Sequence, residues 1–146
     1  MTGTEMMFTS VSLGSIELKN RLVMAPLTRM RAVAGHIPSP LAKTYYAQRA
    51  SAGLIITEAT QISNLGMGYP GTPGIYTPEQ TVAWKEIVQA VHAKGGCIVA
   101  QLWHVGRISH SSLHPEHGVP EAPSAIPAAG QTYGADWQLH DYETPK

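Results

Sequence analysis

The sequence predicts an α/β protein whose strands form a parallel sheet. Three short apolar runs suited to strands alternate with two segments suited to helices, in the order strand, helix, strand, helix, strand. Strands of nearly uniform hydrophobicity that alternate with helices are typical of parallel sheets, whose crossover connections are right-handed. The chain of 146 residues is long enough for about one domain of ordinary size.

The N-terminal region predicts a β-hairpin followed by a first strand. Residues 7–20, MFTSVSLGSIELKN, alternate apolar and polar side chains on either side of Gly14 and Ser15, a pair suited to a tight turn. The next segment, RLVMAP at 21–26, is typical of a short strand that ends at Pro26.

Capping residues and composition predict the first helix and the second strand. Ser39 is a suitable N-cap and Pro40 suits the first helical position, so we expect the helix to begin there. The helix is predicted to continue through LAKTYYAQRASA and to end at Gly53, which suits a C-terminal cap. The segment LIITEAT at 54–60 is rich in β-branched residues and predicts a strand.

The second helix carries the clearest local pattern in the chain. Thr77, Pro78 and Gln80 supply an N-cap, a proline start and a capping-box partner. One apolar stripe then recurs at helical spacing, formed by Trp84, Ile87, Val88 and Val91. The pair Gly95–Gly96 is predicted to end the helix, and CIVAQLW at 97–103 predicts the third strand.

From residue 104 onward the sequence predicts a long excursion loop rather than another strand and helix. Four prolines interrupt it, at Pro115, Pro120, Pro123 and Pro127. The stretch YGADWQLHDY within it suggests a small hairpin, and irregular loops of this length are usually functional or disordered. The predicted organisation is therefore a hairpin at 7–20, three strands and two helices at 21–103, and an excursion at 104–146.

Charge and cysteine content argue against several classes of protein. Ten basic and ten acidic residues give a formal net charge of zero, without the basic excess typical of proteins that bind nucleic acids or anionic membranes. The N-terminus MTGTEMMFTSV lacks a signal-peptide pattern, and no apolar stretch approaches the roughly 20 residues of a membrane span, so we expect a soluble protein. The single cysteine, Cys97, cannot form an internal disulfide, which favours a reducing, cytoplasmic setting.

Two motifs suggest functions that their context does not support. The stretch GMGYPG at 66–71 matches the dinucleotide fingerprint G-x-G-x-x-G, which must turn directly from a strand into a helix. Here Pro70 and Pro73 precede the helix start at Pro78, so a flexible glycine-rich loop is the favoured interpretation. Four histidines, His104, His110, His114 and His117, also cluster near the third strand, but their spacing matches no zinc pattern. Solvated loop positions are predicted for them, except for His104, which directly follows Trp103 at a strand end.

The carboxyl ends of the three strands carry the strongest indication of a binding site. They continue as MAPLTR, TEATQ and QLWHVGR, and ligands of parallel α/β folds bind beyond such ends. We therefore expect one face to gather Thr28, Thr57, Gln101, Trp103 and His104. Structural roles stay open for some of them, because Thr57 and Glu58 could cap a helix or line a barrel interior, and Trp103 could fill the core. Surface or phosphate-facing positions are predicted for Arg29, Arg31 and Arg107.

Four long stretches together resemble the Old Yellow Enzyme family of FMN-dependent ene-reductases. They are LKNRLVMAPLTRMRA, YYAQRASAGLIITEATQIS, GYPGTPGIYTPEQTVAWKEIVQAVHAKGG and QLWHVGRISHSS, and they cover nearly all of residues 15–115. The resemblance implies a (β/α)8 TIM barrel that holds FMN across the C-terminal ends of its strands. Because such a barrel takes about 250 residues, the chain resembles its N-terminal portion only.

The resemblance also implies which residues contact the cofactor and the substrate. The first flavin-contacting loop of the family is matched by Ala25, Pro26, Leu27 and Thr28. In that loop the threonine hydroxyl donates toward the C4 carbonyl region of the flavin. Ala59 matches a position whose backbone touches the flavin edge, and Gln101 matches an amide that pairs with the pyrimidine edge. Trp103 and Tyr69 match aromatic positions of the substrate pocket.

The reaction implied by the resemblance is the reduction of electron-poor alkenes, α,β-unsaturated carbonyls and nitro compounds among them, with NAD(P)H as the reductant of FMN. In the family, the polar pair that holds the substrate carbonyl, the proton donor and the phosphate-binding arginines belong to later strands. No catalytic residue is therefore predicted within this chain, and His104 and His110 match other family positions. We expect the isolated chain to be inactive and to need the C-terminal remainder of the barrel as its partner.

Two other classes of function are compatible with parts of the sequence. A non-catalytic module could bind a ligand or a partner through the proline-rich tail, and it would be a compact, colourless monomer. A metal-dependent hydrolase could be built on the loop histidines, and it would carry stoichiometric metal. Bound flavin or bound metal would distinguish these alternatives from the ene-reductase.

Overall fold

The computed structural model describes residues 2–146, and the chain begins with a short helix that the sequence analysis did not predict. This helix, α1, spans Gly3–Met7. The hydroxyl of its N-cap Thr2 accepts a hydrogen bond from the Glu5 N–H, and the Glu5 carboxylate accepts one from the Thr2 N–H. This reciprocal capping box satisfies backbone donors that the first turn of a helix leaves free.

An antiparallel hairpin follows the first helix. Its strands are β1, Val11–Leu13, and β2, Ile16–Leu18, and Gly14 between them has a φ of +60°. The paired residues cover less than the predicted range of 7–20, because Met7 is the last residue of α1 and the chain turns before β1. The turn position itself coincides with the predicted glycine.

Three parallel strands form the main sheet, in the order β3-β4-β5. They are β3, Val23–Met24, β4, Leu54–Gln61, and β5, Ile98–Trp103. The parallel arrangement and the chain order of strands are as predicted. The first strand is shorter than the predicted range of 21–26, and Pro26 has no N–H to donate to a ladder.

Two helices connect these strands. The first, α2, spans Pro40–Ala47, and the hydroxyl of its N-cap Ser39 accepts a hydrogen bond from the Leu41 backbone at 3.3 Å. It ends well before Gly53, the predicted cap, because the intervening residues form turns. Gly53 lies instead at the entry to β4, where a side chain would collide with the backbone carbonyl of Asn20.

The second connecting helix, α3, has the predicted start and cap, and it ends at His92, shortly before the predicted Gly95–Gly96. It spans Pro78–His92, with a capping box between Thr77 and Gln80. Gly95, with a φ of +67°, turns the chain toward β5. Among the helices of residues 2–146, none has both the length and the apolar character that crossing a bilayer requires.

The hydrophobic core lies between the sheet and the two connecting helices. Met24, Ile55 and Ile98 are register partners across the three strands and contribute the sheet side of this core. The helices and the turn after α2 contribute buried Tyr46, Ala50, Trp84, Ile87 and Val91. The helices therefore cover one face of the sheet. The opposite face carries the strand residues that alternate with Met24, Ile55 and Ile98.

The excursion after β5 contains one further antiparallel hairpin, where the sequence suggested it. Its strands are β6, Gln131–Tyr133, and β7, Leu139–Asp141. Arg107 anchors the excursion, because its guanidinium donates to the carbonyl of Ile126 at 2.6 Å and to the hydroxyl of Ser124 at 3.0 Å. Both hydrogen bonds lie at exposed positions, so Arg107 is a surface residue, as predicted.

Glu143 holds the end of the excursion against its beginning. Its carboxylate accepts hydrogen bonds from the backbone N–H of Ser111 at 2.5 Å and from the Ser111 hydroxyl at 2.8 Å. Partial burial opposes the charged form, but the two hydrogen bonds outweigh it and hold the pKa of Glu143 below its ordinary value.

Replacing a buried valine of α3 is expected to destabilise the chain far more than replacing an exposed one. Val91→Ala removes a fully buried side chain from the core and should lower the free energy of unfolding by about 2 kcal/mol. Val82→Ala is the matched control, since Val82 is 60% exposed on the same helix, and it should change stability by less than about 0.5 kcal/mol. Urea unfolding monitored by circular dichroism measures both, and equal effects would contradict the placement of the core.

The Glu143 contact should weaken in acid. Because its pKa is lower in the folded chain than in the unfolded chain, its contribution to stability is present above its ordinary value of 4.5 and lost as pH falls through the lowered one. Glu143→Gln should therefore reduce protection of the Ser111 amide from hydrogen exchange at about pH 6 but much less at about pH 3. Glu121→Gln, in an exposed contact with Lys146, serves as the control, and a pH-independent difference would contradict this account.

Candidate functional site

The carboxyl ends of β4 and β5 bring a small group of predicted site residues to one face of the sheet. Ala59 is the register partner of Gln101, and Gln61 is the register partner of Trp103. Partners in adjacent parallel strands point to the same face, so these four side chains lie together. Because Ile55 and Ile98 face the helices, this group occupies the face that the helices do not cover.

A β-bulge in β4 determines which residue stands beside Gln101. Ile56 pairs with Val99 and Ala59 pairs with Gln101, so two residues of β4, Thr57 and Glu58, lie opposite the single Ala100. With regular pairing, Glu58 would be the neighbour of Gln101. The bulge instead places the small Ala59 there and turns Glu58 toward α2.

Buried hydrogen bonds fix this bulge. The Thr57 hydroxyl accepts from the Gln101 backbone at 3.1 Å and donates to the Glu58 carbonyl at 2.9 Å. The Thr60 hydroxyl donates to the same carbonyl at 2.9 Å, and the Tyr46 hydroxyl accepts from the Glu58 N–H at 2.9 Å. Of the roles left open for Thr57 and Glu58, helix capping is therefore excluded.

The Glu58 carboxylate reaches the loop that follows β3. Its Oε2 accepts a hydrogen bond from the backbone N–H of Arg29 at 3.0 Å, which brings the neighbouring Thr28 to the same end of the sheet as Ala59 and Gln101. Burial raises the pKa of Glu58, and the Arg29 contacts and the Tyr46 hydroxyl offset only part of this rise. The charged carboxylate therefore costs folding free energy, and this cost disappears as pH falls from the raised pKa toward the ordinary value of 4.5.

Two of the predicted cofactor contacts present free polar groups at this end. Thr28 and Gln101 are exposed, whereas Ala59 between their strands is buried. Within residues 2–146, neither the Thr28 hydroxyl nor the Gln101 carboxamide forms a hydrogen bond. The remaining members of the loop, Ala25, Pro26 and Leu27, lead from the end of β3 to Thr28. The arrangement offers one hydroxyl, one carboxamide and a small surface between them.

The two predicted aromatic residues of the pocket lie next to each other. The ring centroids of Tyr69 and Trp103 are 5.6 Å apart and the rings are tilted by 43°. The loop that carries Tyr69 is fixed by Thr72, whose hydroxyl lies 2.9 Å from the Tyr69 carbonyl and 2.8 Å from Oε1 of Gln61. Trp103 is only half-buried, and it lies outside the hydrophobic core.

The glycine motif and His104 have local structural roles. The segment 66–71 runs from a short 3-10 turn into an irregular loop, and the next helix begins only at Pro78, so the geometry of a dinucleotide loop is absent from this stretch. His104 was expected to face the site with Gln101, but its Nδ1 accepts a hydrogen bond from Gly106 at 3.1 Å and the ring belongs to its own turn.

The prediction that the histidines of the excursion are solvated is wrong for His114. His114 is only 5% exposed, and its ring contacts the Ser109 hydroxyl at 3.0 Å and the Gly118 carbonyl at 2.8 Å. His110 stacks on His140 with ring centroids 4.5 Å apart. Nowhere in the part of the chain that the structure describes do three potential metal ligands come together.

The arginines after Thr28 lie on the helix side of the sheet. The Arg29 guanidinium stands over the ring of Tyr45, with 5.2 Å between its central carbon and the ring centroid. A cavity of about 230 Å³ beside α2 is lined by Arg29, Arg31, Tyr45 and Glu58, among others. Neither arginine therefore belongs to the face that carries Gln101.

Tyr46 joins the core to the site and was not among the predicted site residues. Its position four residues after Ala42 in α2 is compatible with a buried face. The sequence contained no sign that its hydroxyl would meet the backbone of Glu58, because that contact depends on how α2 packs on β4.

Comparison with known proteins identifies the family. Residues 6–141 match the NADH:flavin oxidoreductase / NADH oxidase family, and the chain belongs to this family, the Old Yellow Enzyme family. The structure superposes on morphinone reductase, solved in complex with tetrahydroNAD, with a TM-score of 0.89 and 51% sequence identity over 96% of this chain. An old yellow enzyme homologue from Zymomonas mobilis gives a TM-score of 0.90 at 47% identity, again over 96% of this chain.

Curated relatives give the same result. The chain is 51% identical over 115 residues to a putative 12-oxophytodienoate reductase 2 of Oryza sativa subsp. japonica, a match that covers 78% of this chain and 30% of the rice protein. It is 48% identical over 132 residues to a chanoclavine-I aldehyde reductase of Penicillium roqueforti, covering 86% of this chain and 36% of the fungal protein. Morphinone reductase is covered to 40%, so the chain spans between 30% and 40% of the length of these proteins. It corresponds to part of their barrel, and the three-stranded sheet is not closed.

Removing the Thr57 hydroxyl should loosen the junction between the two strands. Thr57→Val keeps the size of the side chain but leaves the Gln101 N–H without its acceptor, so we expect a loss of about 1–3 kcal/mol and faster exchange of the Gln101 amide. Thr81→Val is the control, because its hydroxyl bonds to the Thr77 carbonyl on an exposed face of α3. Unchanged exchange at Gln101 in Thr57→Val would argue against the role given to this hydroxyl.

Proposed function

We propose that this chain is the N-terminal part of an FMN-dependent ene-reductase that reduces electron-poor alkenes with NAD(P)H. The observation that carries the proposal is the juxtaposition of Ala59 with Gln101, with the Thr28 loop hydrogen-bonded to the residue before Ala59. Membership of the flavin oxidoreductase family supports the same cofactor. The single free Cys97 supports a reducing compartment, and we propose the cytoplasm.

The residues present at this end of the sheet fit a flavin ring. The Gln101 carboxamide provides both a donor and an acceptor, which suits the alternating groups of a pyrimidine edge, and within residues 2–146 it has no other partner. Ala59 is small enough for a flat ring to approach the backbone closely. The Thr28 hydroxyl can donate to a carbonyl oxygen. When bound, FMN supplies the hydride-transfer chemistry, and these residues bind and orient it.

The aromatic pair and the relatives support the proposed substrate class. Tyr69 and Trp103 form an aromatic surface beside Gln101, suited to the apolar body of an unsaturated carbonyl or nitro compound. The similar proteins named above are reductases of 12-oxophytodienoate, morphinone and chanoclavine-I aldehyde. We assign no catalytic residue to this chain, because the resemblance places the proton donor and the pair that holds the substrate carbonyl in later strands.

We propose that the partner of this chain is the C-terminal remainder of the barrel. Within residues 2–146, both β3 and β5 have a neighbour on one side only. Apolar side chains on these edge strands are exposed, with Val23 at 50% and Leu102 at 64%. Unpaired edges with exposed apolar groups favour pairing with another segment, and closure of a barrel removes both edges at once.

Reconstitution tests the proposed function. The chain is co-expressed with the C-terminal remainder of morphinone reductase, beginning where the match to this chain ends. We expect the purified complex to carry FMN in a 1:1 ratio, visible as flavin absorption, and to oxidise NAD(P)H when an unsaturated ketone is added. The chain alone should be colourless. A complex that assembles but takes up no FMN would refute the proposal.

Replacing Gln101 should weaken FMN binding in the reconstituted complex. Gln101→Ala removes the carboxamide and leaves the facing groups of the ring unpaired, so we expect the dissociation constant to rise by about tenfold or more. The matched control is Gln89→Ala, which removes the same group from an exposed position of α3. Fluorescence quenching of FMN measures both constants, and equal affinity in the two variants would exclude Gln101 from the cofactor site.

A further inference from the structure

The Thr57–Glu58 bulge contacts each of the three parts of the chain that carry predicted flavin contacts: the loop after β3, β4 itself and β5. Glu58 directly precedes Ala59, the Thr57 hydroxyl accepts from the backbone of Gln101 at 3.1 Å, and the Glu58 carboxylate accepts from the residue after Thr28 at 3.0 Å. We propose that Glu58 is a positioning residue of the flavin site, holding the Thr28 hydroxyl in place through the Arg29 N–H. The inference rests on the proposed function and deepens it.

The loop that Glu58 holds is strained and needs support. Met30 has a φ of +54°, a left-handed conformation that a residue with a side chain adopts rarely. On its other side the loop meets Gly71, where an added side chain would come within 2.8 Å of the Met30 carbonyl oxygen. The Ala32 N–H also donates to the Gly71 carbonyl at 2.8 Å. The Glu58 carboxylate and Gly71 thus clamp a disfavoured turn from two sides.

Folding stability alone does not account for a buried carboxylate at position 58. Glu58 is only 6% exposed, and a buried carboxylate loses much of its favourable interaction to desolvation. Its partner in the loop, the Arg29 N–H, belongs to an exposed residue and could bond to water instead. What the carboxylate provides is a fixed position for the loop. The Tyr46 hydroxyl, anchored in the core, accepts a hydrogen bond from the Glu58 N–H at 2.9 Å and so fixes the backbone that carries this carboxylate.

The first test compares two substitutions of Glu58 in the reconstituted complex. Glu58→Ala should weaken FMN binding by about tenfold and shift the reduction equilibrium of the bound flavin by a similar factor, which is about 30 mV for a two-electron couple. Glu58→Gln should retain most of the wild-type affinity and potential, because its amide oxygen can still accept from the Arg29 N–H. Glu86→Ala, on the exposed face of α3, is the control. Glu58→Ala with wild-type affinity and potential would overturn the inference.

A double-substitution cycle shows whether Glu58 acts through Thr28. If it does, Glu58→Ala should shift the flavin potential in the wild-type background but have almost no further effect in Thr28→Ala. Additive shifts would overturn the proposed route. Should Glu58→Ala fail to fold, Tyr46→Phe replaces it, because this variant loses only the hydroxyl that fixes Glu58. Tyr46→Phe should shift the potential in the same direction, and an unchanged potential would count against the inference.

A measurement without flavin separates this inference from the proposed function. In the chain of 146 residues, amide exchange over residues 26–31 should become about tenfold faster in Glu58→Ala and stay unchanged in Glu86→Ala. If the wild-type complex binds no FMN, the proposed function fails and the flavin role of Glu58 fails with it, whatever the exchange result. If the wild-type complex binds FMN and the loop exchanges at the same rate in Glu58→Ala, only the positioning role is wrong.

Discussion

The one-residue bulge at Thr57–Glu58 is the constraint on which the rest of the site depends. In a regular parallel pair, side chains alternate strictly between the two faces, and a charged Glu58 would stand next to Gln101. Because of the extra residue, the methyl group of Ala59 lies next to Gln101, and the Glu58 carboxylate lies on the helix side of the sheet. The bulge thus has two consequences. It leaves a flat, uncharged surface beside the Gln101 carboxamide, and it lets Glu58 accept a hydrogen bond from the Thr28 loop.

The hydrophobic core and the site are connected through one side chain. Tyr46 is fully buried between Trp84 and the sheet, and its hydroxyl is bound to the backbone of the bulge. The packing of α2 on β4 therefore sets the position of Glu58, and Glu58 sets the position of the loop after β3. In this fold the apolar face of the sheet supplies rigidity, while the opposite face presents the polar groups that a ligand can use.

Local patterns predicted those features of the fold that depend on neighbouring residues. The cap at Thr77 and Gln80, the start of α2 after Ser39 and the parallel order of the strands follow from short-range hydrogen bonding and from hydrophobic periodicity. The predicted end of α2 was wrong, because Gly53 does not cap the helix. It is required where the backbone passes close to the carbonyl of Asn20. His114 was misplaced because its partners, Ser109 and Gly118, are brought together by the fold of the excursion.

The sequence by itself determined the family, the order of strands and helices, and the positions of Thr28, Ala59 and Gln101 at strand ends, because these depend on residue type and spacing along the chain. Only the tertiary structure decided that Ala59 and not Glu58 stands beside Gln101, and that Glu58 reaches the loop after β3. A bulge leaves no mark in hydrophobic periodicity when both strands are mostly buried or apolar. Its position is set by two long-range hydrogen bonds, from the Glu58 N–H to the Tyr46 hydroxyl and from the Gln101 N–H to the Thr57 hydroxyl. These bonds exist only once the helix and the strands have packed together.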